Sequence, residues 1–234
     1  MKEEYYKWYS QSLSKEVEML MIGEKGIPII LFPTSMGRYT ENKDFKLTDA
    51  AGWYVEQGLV KFYCIESVDA LSWYNKNVPP NVRAYNHTCY DKMLHEELVP
   101  HAKAETGFGK IGVAGCSFGG YHAANYAFRH PENVSHIFSM GGAFDIRNQL
   151  DGYYDDNVYF NNPPDYLPGS ESPDLWKMKI ILGTTEGDMC KASNLQLSHI
   201  LNSKGIKHWL DVRPFGDHDW PIWREMFPHY LSML

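Results

Sequence analysis

Only four cysteines occur among the 234 residues, Cys64, Cys89, Cys116 and Cys190, and no two form a C-x-x-C pair. That spacing excludes a cage of paired thiols around zinc and offers no disulfide framework. Buried free thiols are expected instead. Basic clusters are missing as well. Lys and Arg number 22 against 29 Asp and Glu, a net charge of -7, so nothing supplies the cationic face that a phosphate backbone needs. No nucleic-acid partner is expected. No apolar run approaches the roughly 20 residues that span a bilayer, so no membrane partner is expected either. The N-terminus, MKEEYYKWYS, lacks an apolar h-region, and a cytoplasmic location follows as an expectation. Internal repeats, low-complexity tracts and linkers are absent, so residues 1–234 read as one domain.

What is present is ordinary for a globular chain: 44% hydrophobic and 22% charged residues. Aromatics are abundant at 15%, with 7 Trp and 16 Tyr, enough to fill a core or line a cleft. Apolar runs and amphipathic stretches alternate. Aromatic and alternating residues up to Met21 predict two antiparallel strands. Strands then follow at Ile27–Phe32, Val60–Ile65, Ile111–Ala114, Ile137–Phe138, Ile180–Leu182 and Trp209–Val212. Helices are predicted over Lys46–Gln57, Asn81–Ala102, Phe118–Arg129, Ala192–Leu201 and from Pro221 towards Leu234. Such β-α alternation predicts an α/β fold, a mostly parallel sheet with helices on both faces. Ligands of such sheets sit at the carboxyl ends of the strands, so the residues just after each apolar run are the informative ones.

Gly115-Cys116-Ser117-Phe118-Gly119 reads G-x-S-x-G between a strand and a helix. A turn that tight needs small flanking residues, and it lifts the serine hydroxyl clear of the sheet at a helix N-terminus. Ser117 is therefore the candidate nucleophile, and Cys116 beside it a packing residue. A serine needs a base to take its proton. His218, in the loop after the last strand and before the final helix, stands where that base should be, whereas His208 and His229 fall inside predicted elements. The orienting acid should follow the strand at Ile180–Leu182. Asp188 is preferred there over Glu186, the loser being a solvated loop charge or a helix cap. An oxyanion would need two donors: the backbone N–H of Phe118, and one from the loop after Phe32, where Ser35 is favoured over Thr34 and Met36. Trp73 and Tyr74, in the loop after Ile65, could form an apolar wall for a substrate, or simply pack. The long stretch 146–176 could be a lid or an oligomer contact.

Three segments carry a resemblance: GVAGCSFGGYHAANYAFRHPENV around Ser117, GTTEGDMC at Asp188, and FGDHDWPIWR at His218, whose G-x-H-x-W followed by W-R is the most diagnostic. From about Ile27 to the C-terminus the chain resembles the "putative esterase" family of α/β-hydrolases, which includes esterase D and feruloyl esterases. The resemblance implies the α/β-hydrolase fold. It also implies hydrolysis of a small-molecule carboxylic ester through an acyl-enzyme, with no cofactor or metal. Pro33-Thr34 stands where many such enzymes have His-Gly, which leaves the oxyanion register open. Acyl transfer on the same residues is the enzymatic alternative, and a binding protein that kept the fold is the non-catalytic one. Thioester or peptide cleavage would use the same chemistry.

Overall fold

The apolar runs decide the middle of the molecule. In the computed structural model, which describes residues 1–234, they form the inner strands of one eight-stranded sheet. The strands are β1 (Glu3–Ser10), β2 (Lys15–Ile22), β3 (Ile27–Phe32), β4 (Val60–Ile65), β5 (Ile111–Cys116), β6 (Val134–Met140), β7 (Lys179–Thr185) and β8 (Trp209–Arg213). Their order is β1-β2-β4-β3-β5-β6-β7-β8. β1 and β2 pair antiparallel, as do β2 and β4, and every other pairing is parallel. This is the α/β-hydrolase architecture that the alternation and the resemblance imply.

The ten α-helices are α1 (Glu41–Asp44), α2 (Leu47–Ala50), α3 (Gly52–Glu56), α4 (Pro80–Met93), α5 (Val99–Thr106), α6 (Phe118–Arg129), α7 (Asp156–Tyr159), α8 (Pro163–Tyr166), α9 (Lys191–Ser203) and α10 (Trp220–Leu231). Strand side chains alternate between two apolar layers. Ile30, Phe32, Ile111 and Val113 enter a layer closed by α4, α5, α6 and α9. Ile29, Leu31, Ala114 and Cys116 enter the opposite layer, closed by α2, α3 and α10. Each fully buried aliphatic side chain contributes about 1.5–3 kcal/mol, so a strand with apolar residues on both faces is held in the interior. No helix is long and apolar enough to cross a membrane.

Several boundaries differ from the sequence reading. The expected helix Lys46–Gln57 is interrupted: Lys46 adopts φ 60°, and α2 and α3 break around Ala51 and Gly52, a residue that weakens helix interiors. The expected helix Asn81–Ala102 is α4 and α5 joined by a π turn at Leu94–Leu98. Pro100 lies just beyond that turn; lacking an N–H, it cannot continue the regular helix ladder, and the wider turn absorbs the mismatch. β6 is longer than Ile137–Phe138. Of the cysteines, Cys64 and Cys116 are buried, but Cys89 and Cys190 are partly exposed.

The carboxyl ends of β3 and β5 lie side by side at the place where successive connections leave in opposite directions, to β4 on one side and to β6 on the other. That divergence opens a crevice, and it positions the loops described next. The stretch 146–176 folds into 3-10 turns and the short helices α7 and α8. α7 packs on α4, and α8 on α6 and α9. Its anchor is the fully buried Asn161. Asn161 Oδ1 accepts from Asn125 Nδ2 and Arg129 Nη1, its Nδ2 donates to Thr88 Oγ1, and its carbonyl accepts from Tyr121. Asn161→Ala would leave Asn125 Nδ2 and Arg129 Nη1 without this acceptor and Thr88 Oγ1 without this donor, while the backbone carbonyl still accepts from Tyr121. It should lower stability by about 2–4 kcal/mol, read as a lower guanidinium midpoint with an unchanged denaturant slope.

Candidate active site

β5 ends at Cys116, and the chain turns into α6 through Ser117, whose φ 54° and ψ -122° are forced on a non-glycine residue. Such a conformation costs about 1–3 kcal/mol and persists only where its surroundings impose it. Here Ser117 N–H donates to the Met140 carbonyl at 2.8 Å, and the Ser117 carbonyl accepts from Gly120 N–H at 3.0 Å and Ala143 N–H at 3.3 Å. The bracketing glycines are steric necessities. A Cβ on Gly115 would lie 2.3 Å from the Gly119 backbone, and one on Gly119 would lie 2.5 Å from the Pro33 carbonyl oxygen.

The turn presents the hydroxyl to a histidine. Ser117 Oγ lies 2.8 Å from His218 Nε2, and His218 Nδ1 lies 2.8 Å from Asp188 Oδ1. His218 stands in the loop between β8 and α10, with the ring of Trp223 perpendicular to it at 5.0 Å. Asp188 is buried, and its Oδ1 also accepts from Cys190 N–H at 2.7 Å. Gly141, with φ 62°, leaves room for this pair: a Cβ there would come 2.9 Å from Asp188 Oδ2 and 3.0 Å from His218 Nδ1. Glu186 is excluded from the cluster; it faces solvent and pairs with Lys191 at 2.5 Å. The three sequence candidates Ser117, His218 and Asp188 therefore meet in one hydrogen-bonded chain.

Burial alone would lower the His218 pKa, but hydrogen bonds and charge from Asp188 and Cys190 outweigh it and push the imidazole up to about 9. For Asp188, burial pulls upward, yet the bonds from His218 and from the Cys190 N–H hold the carboxyl below its usual range. This electrostatic pairing favours an imidazolium once His218 has accepted a proton.

The loop after β3 lies across from the start of α6. Thr34 N–H donates to Glu41 Oε2 at 2.6 Å, and Met36 N–H donates to Asp69 Oδ2 at 2.8 Å. Gly37 N–H turns back to the Thr34 carbonyl at 3.0 Å. Ser35 N–H has no acceptor within the chain. Phe118 N–H opens α6, where a helix has no carbonyl of its own for its first donors. Two free donors are thus available, one from each loop named in the sequence analysis.

Trp73 needs correction. It has no exposed surface, donates its Nε1–H to Tyr121 and packs in a small cluster with Phe118 and Ile146. It is a core residue because α4 and the 146–176 stretch close over it, and it cannot form a substrate wall. Tyr74 is half-buried; its hydroxyl bonds Ser35 Oγ at 2.8 Å and its ring meets Phe118 edge-on at 5.3 Å. Asp69, Glu41 and Cys190 are contributors that the sequence reading misses. Asp69 lies in the same SVDALSWYN loop whose aromatics drew notice. Cys190 lies two residues after Asp188. No spacing signal links Glu41 to Thr34.

Asp188, Cys190 and His218 bring potential metal ligands within 4.8 Å of one another, but the acid and the histidine already share a hydrogen bond. His95, His130 and Glu132 form a second such group, at the opposite end of α6 from Ser117. The two imidazoles there stack at 4.1 Å, so their in-plane lone pairs run alongside each other rather than converge. A groove of about 370 Å³, lined by His136, Met178 and Trp209, lies at the starts of β6, β7 and β8, the opposite end of the sheet from Ser117. Each of the loops that carry Ser35, Asp188 and His218 also exposes a large apolar side chain: Met36, Met189 at 82% and Phe215 at 83%.

Residues 54–234 match the family described as "Putative esterase". The chain belongs to this family. It is accordingly a carboxylic-ester hydrolase. No curated protein sequence matches it. Among solved structures, a ferulic acid esterase superposes with a TM-score of 0.78 at 15% identity, covering 99% of this chain and 96% of that one. The S-formylglutathione hydrolase of Staphylococcus aureus gives 0.73 at 14% identity, covering 99% and 98%. A ferulic acid esterase of Anaeromyces mucronatus gives 0.70 at 13% identity, covering 99% and 89%. At these identities the structural likeness speaks for the fold.

A histidine acting as base must be neutral, so with His218 in that role its raised pKa would set the acid side of the pH profile. The rate constant kcat/KM for an activated ester should climb with pH through a step above 6.5, approaching about 9. Asp188→Asn should move that step downward, because the Asp188 carboxylate no longer offsets burial, and should lower the rate roughly 10³–10⁴-fold. A pH series on both proteins measures the step and the loss.

Proposed function

We propose that the enzyme cleaves a small or medium carboxylic ester through an acyl-enzyme on Ser117. The observation that carries this reading is the unbroken 2.8 Å relay from Ser117 Oγ through His218 to the buried Asp188. Ser117 Oγ attacks the carbonyl carbon while its proton passes to His218 Nε2. Asp188 holds the imidazole in the tautomer that receives this proton and balances the charge that forms. The carbonyl oxygen becomes an oxyanion and takes the N–H groups of Ser35 and Phe118, at the N-terminus of α6. The carbon–oxygen bond to the alcohol then breaks. His218 returns its proton to that oxygen, and the alcohol leaves an acyl-Ser117. Water attacks the acyl carbon with His218 again as base; the acid departs and Ser117 regains its proton.

The exposed Met36, Met189 and Phe215, one on each loop that carries Ser35, Asp188 and His218, suit an ester with an apolar or aromatic acyl group, in keeping with the ferulic acid esterases of the same fold. The four free thiols fit a reducing compartment such as the cytoplasm.

Hydrolysis of p-nitrophenyl esters of increasing acyl length, wild type beside Ser117→Ala, tests the proposal. Ser117→Ala should lose roughly 1,000-fold or more of kcat while keeping the wild-type circular dichroism spectrum, and the length profile sizes the acyl site. Equal rates in the two proteins would sink the mechanism.

A further inference from the structure

The loop after β3 is held by two carboxylates from other parts of the chain, Glu41 of α1 and Asp69 of the loop after β4. Asp69 is fully buried, and its two oxygens reach two different elements. Oδ2 accepts Met36 N–H at 2.8 Å, on the loop after β3. Oδ1 lies 2.9 Å from Nε2 of the buried His122, on α6, one turn beyond Phe118. The His122 ring is also edge-on to the Phe118 ring at 5.1 Å and stacked on Phe32 at 5.8 Å. One carboxylate therefore joins the two segments that offer free N–H donors to an oxyanion. On the other side of Ser35, Glu41 takes both the N–H and the hydroxyl of Thr34, at 2.6 and 2.9 Å. Met36 sits at φ 61°, a conformation a non-glycine residue rarely adopts unless held. Gly37 keeps Glu41 in place by having no side chain: a Cβ there would lie 2.4 Å from Glu41 Oε2.

The geometry points to Asp69 and Glu41 as a clamp that turns Ser35 N–H, and not its neighbours, towards the oxyanion. The inference rests on the reading of Ser117 as nucleophile. The physical reason is competition for donors. In a free loop, three successive N–H groups could each turn towards the developing charge or towards water. Binding Thr34 and Met36 to carboxylates removes two of them and fixes the peptide between. A carboxylate is a stronger acceptor than a neutral group, so it can hold the strained Met36 backbone. Because Asp69 also grips His122, the spacing between the Ser35 and Phe118 donors is set by a single rigid group. Preorganised donors of this kind act on the transition state and barely on the bound ester. Asp69 and Glu41 are thus positioning residues.

The test separates this role from simple packing. Asp69→Asn keeps the volume but can accept only from one side. Its kcat on p-nitrophenyl acetate should fall about 10–100-fold with KM within about twofold of wild type. Its affinity for a trifluoromethyl ketone, which forms a tetrahedral adduct on the serine, should fall by the same factor. Gly37→Ala displaces the Glu41 carboxylate without replacing a charged residue. It should show the same pattern, and it carries the test if Asp69→Asn does not fold. Wild-type kcat and ketone affinity in a folded variant would overturn the clamp. Undiminished hydrolysis by Ser117→Ala would instead overturn the reading of Ser117, and the clamp with it.

Discussion

Gly115 and Gly119 touch without a Cβ between them, and the rest of the site is placed relative to that contact. It lets α6 start directly against the ends of β5 and β3. Its consequence is the strained Ser117 backbone, which lifts the hydroxyl away from the sheet and towards His218. The same approach brings Phe118 N–H level with the loop after β3, because Gly119 rests on the carbonyl oxygens of Phe32 and Pro33. A methyl group at either glycine would have to push one backbone off another, and no side-chain rotation could relieve it. The strain at Ser117 is stored in this packing and in the bond from its N–H to Met140.

This constraint explains which parts of the protein are legible in the sequence. Sterics that demand glycine write themselves into the chain, so the turn at Ser117 can be located from G-x-S-x-G between an apolar run and a small-residue helix. β3 and β5 are equally visible, since burial on both faces requires uninterrupted apolar residues. The loop after β7 is harder. Asp188 and Glu186 lie two residues apart with the same chemistry, and only the folded loop buries the first while leaving the second on Lys191. Trp73 misleads for a related reason. An aromatic residue in a loop at the carboxyl end of β4 looks like a cleft wall, but whether it faces the cleft depends on how α4 and residues 146–176 close over it. Backbone donors are the least legible of all. Nothing in the side chains of Thr34, Ser35 and Met36 tells which N–H stays free, because the answer lies in Glu41 and Asp69, 7 and 33 positions along the chain from the residues they hold.

Two buried carboxylates therefore lie behind one serine, in different arrangements. Taking a carboxylate out of water carries a cost of several kcal/mol, and a fold retains it only where hydrogen bonds replace the lost hydration. Asp188 meets that condition with His218 and the Cys190 N–H; Asp69 meets it with His122 and the Met36 N–H. In each pair one bond goes to an imidazole and one to a backbone N–H, so each acid ties a side chain to a loop. The difference lies in what the imidazole does. His218 faces the serine at 2.8 Å, and in the proposed mechanism it exchanges a proton there, so the charge of Asp188 would be felt during the reaction. His122 is buried among Phe32, Tyr90, Phe118 and Tyr121, so in the proposed clamp Asp69 contributes geometry alone. Catalysis needs both kinds of support, because a base raised in pKa gains nothing unless the charge that forms opposite it has donors already in place.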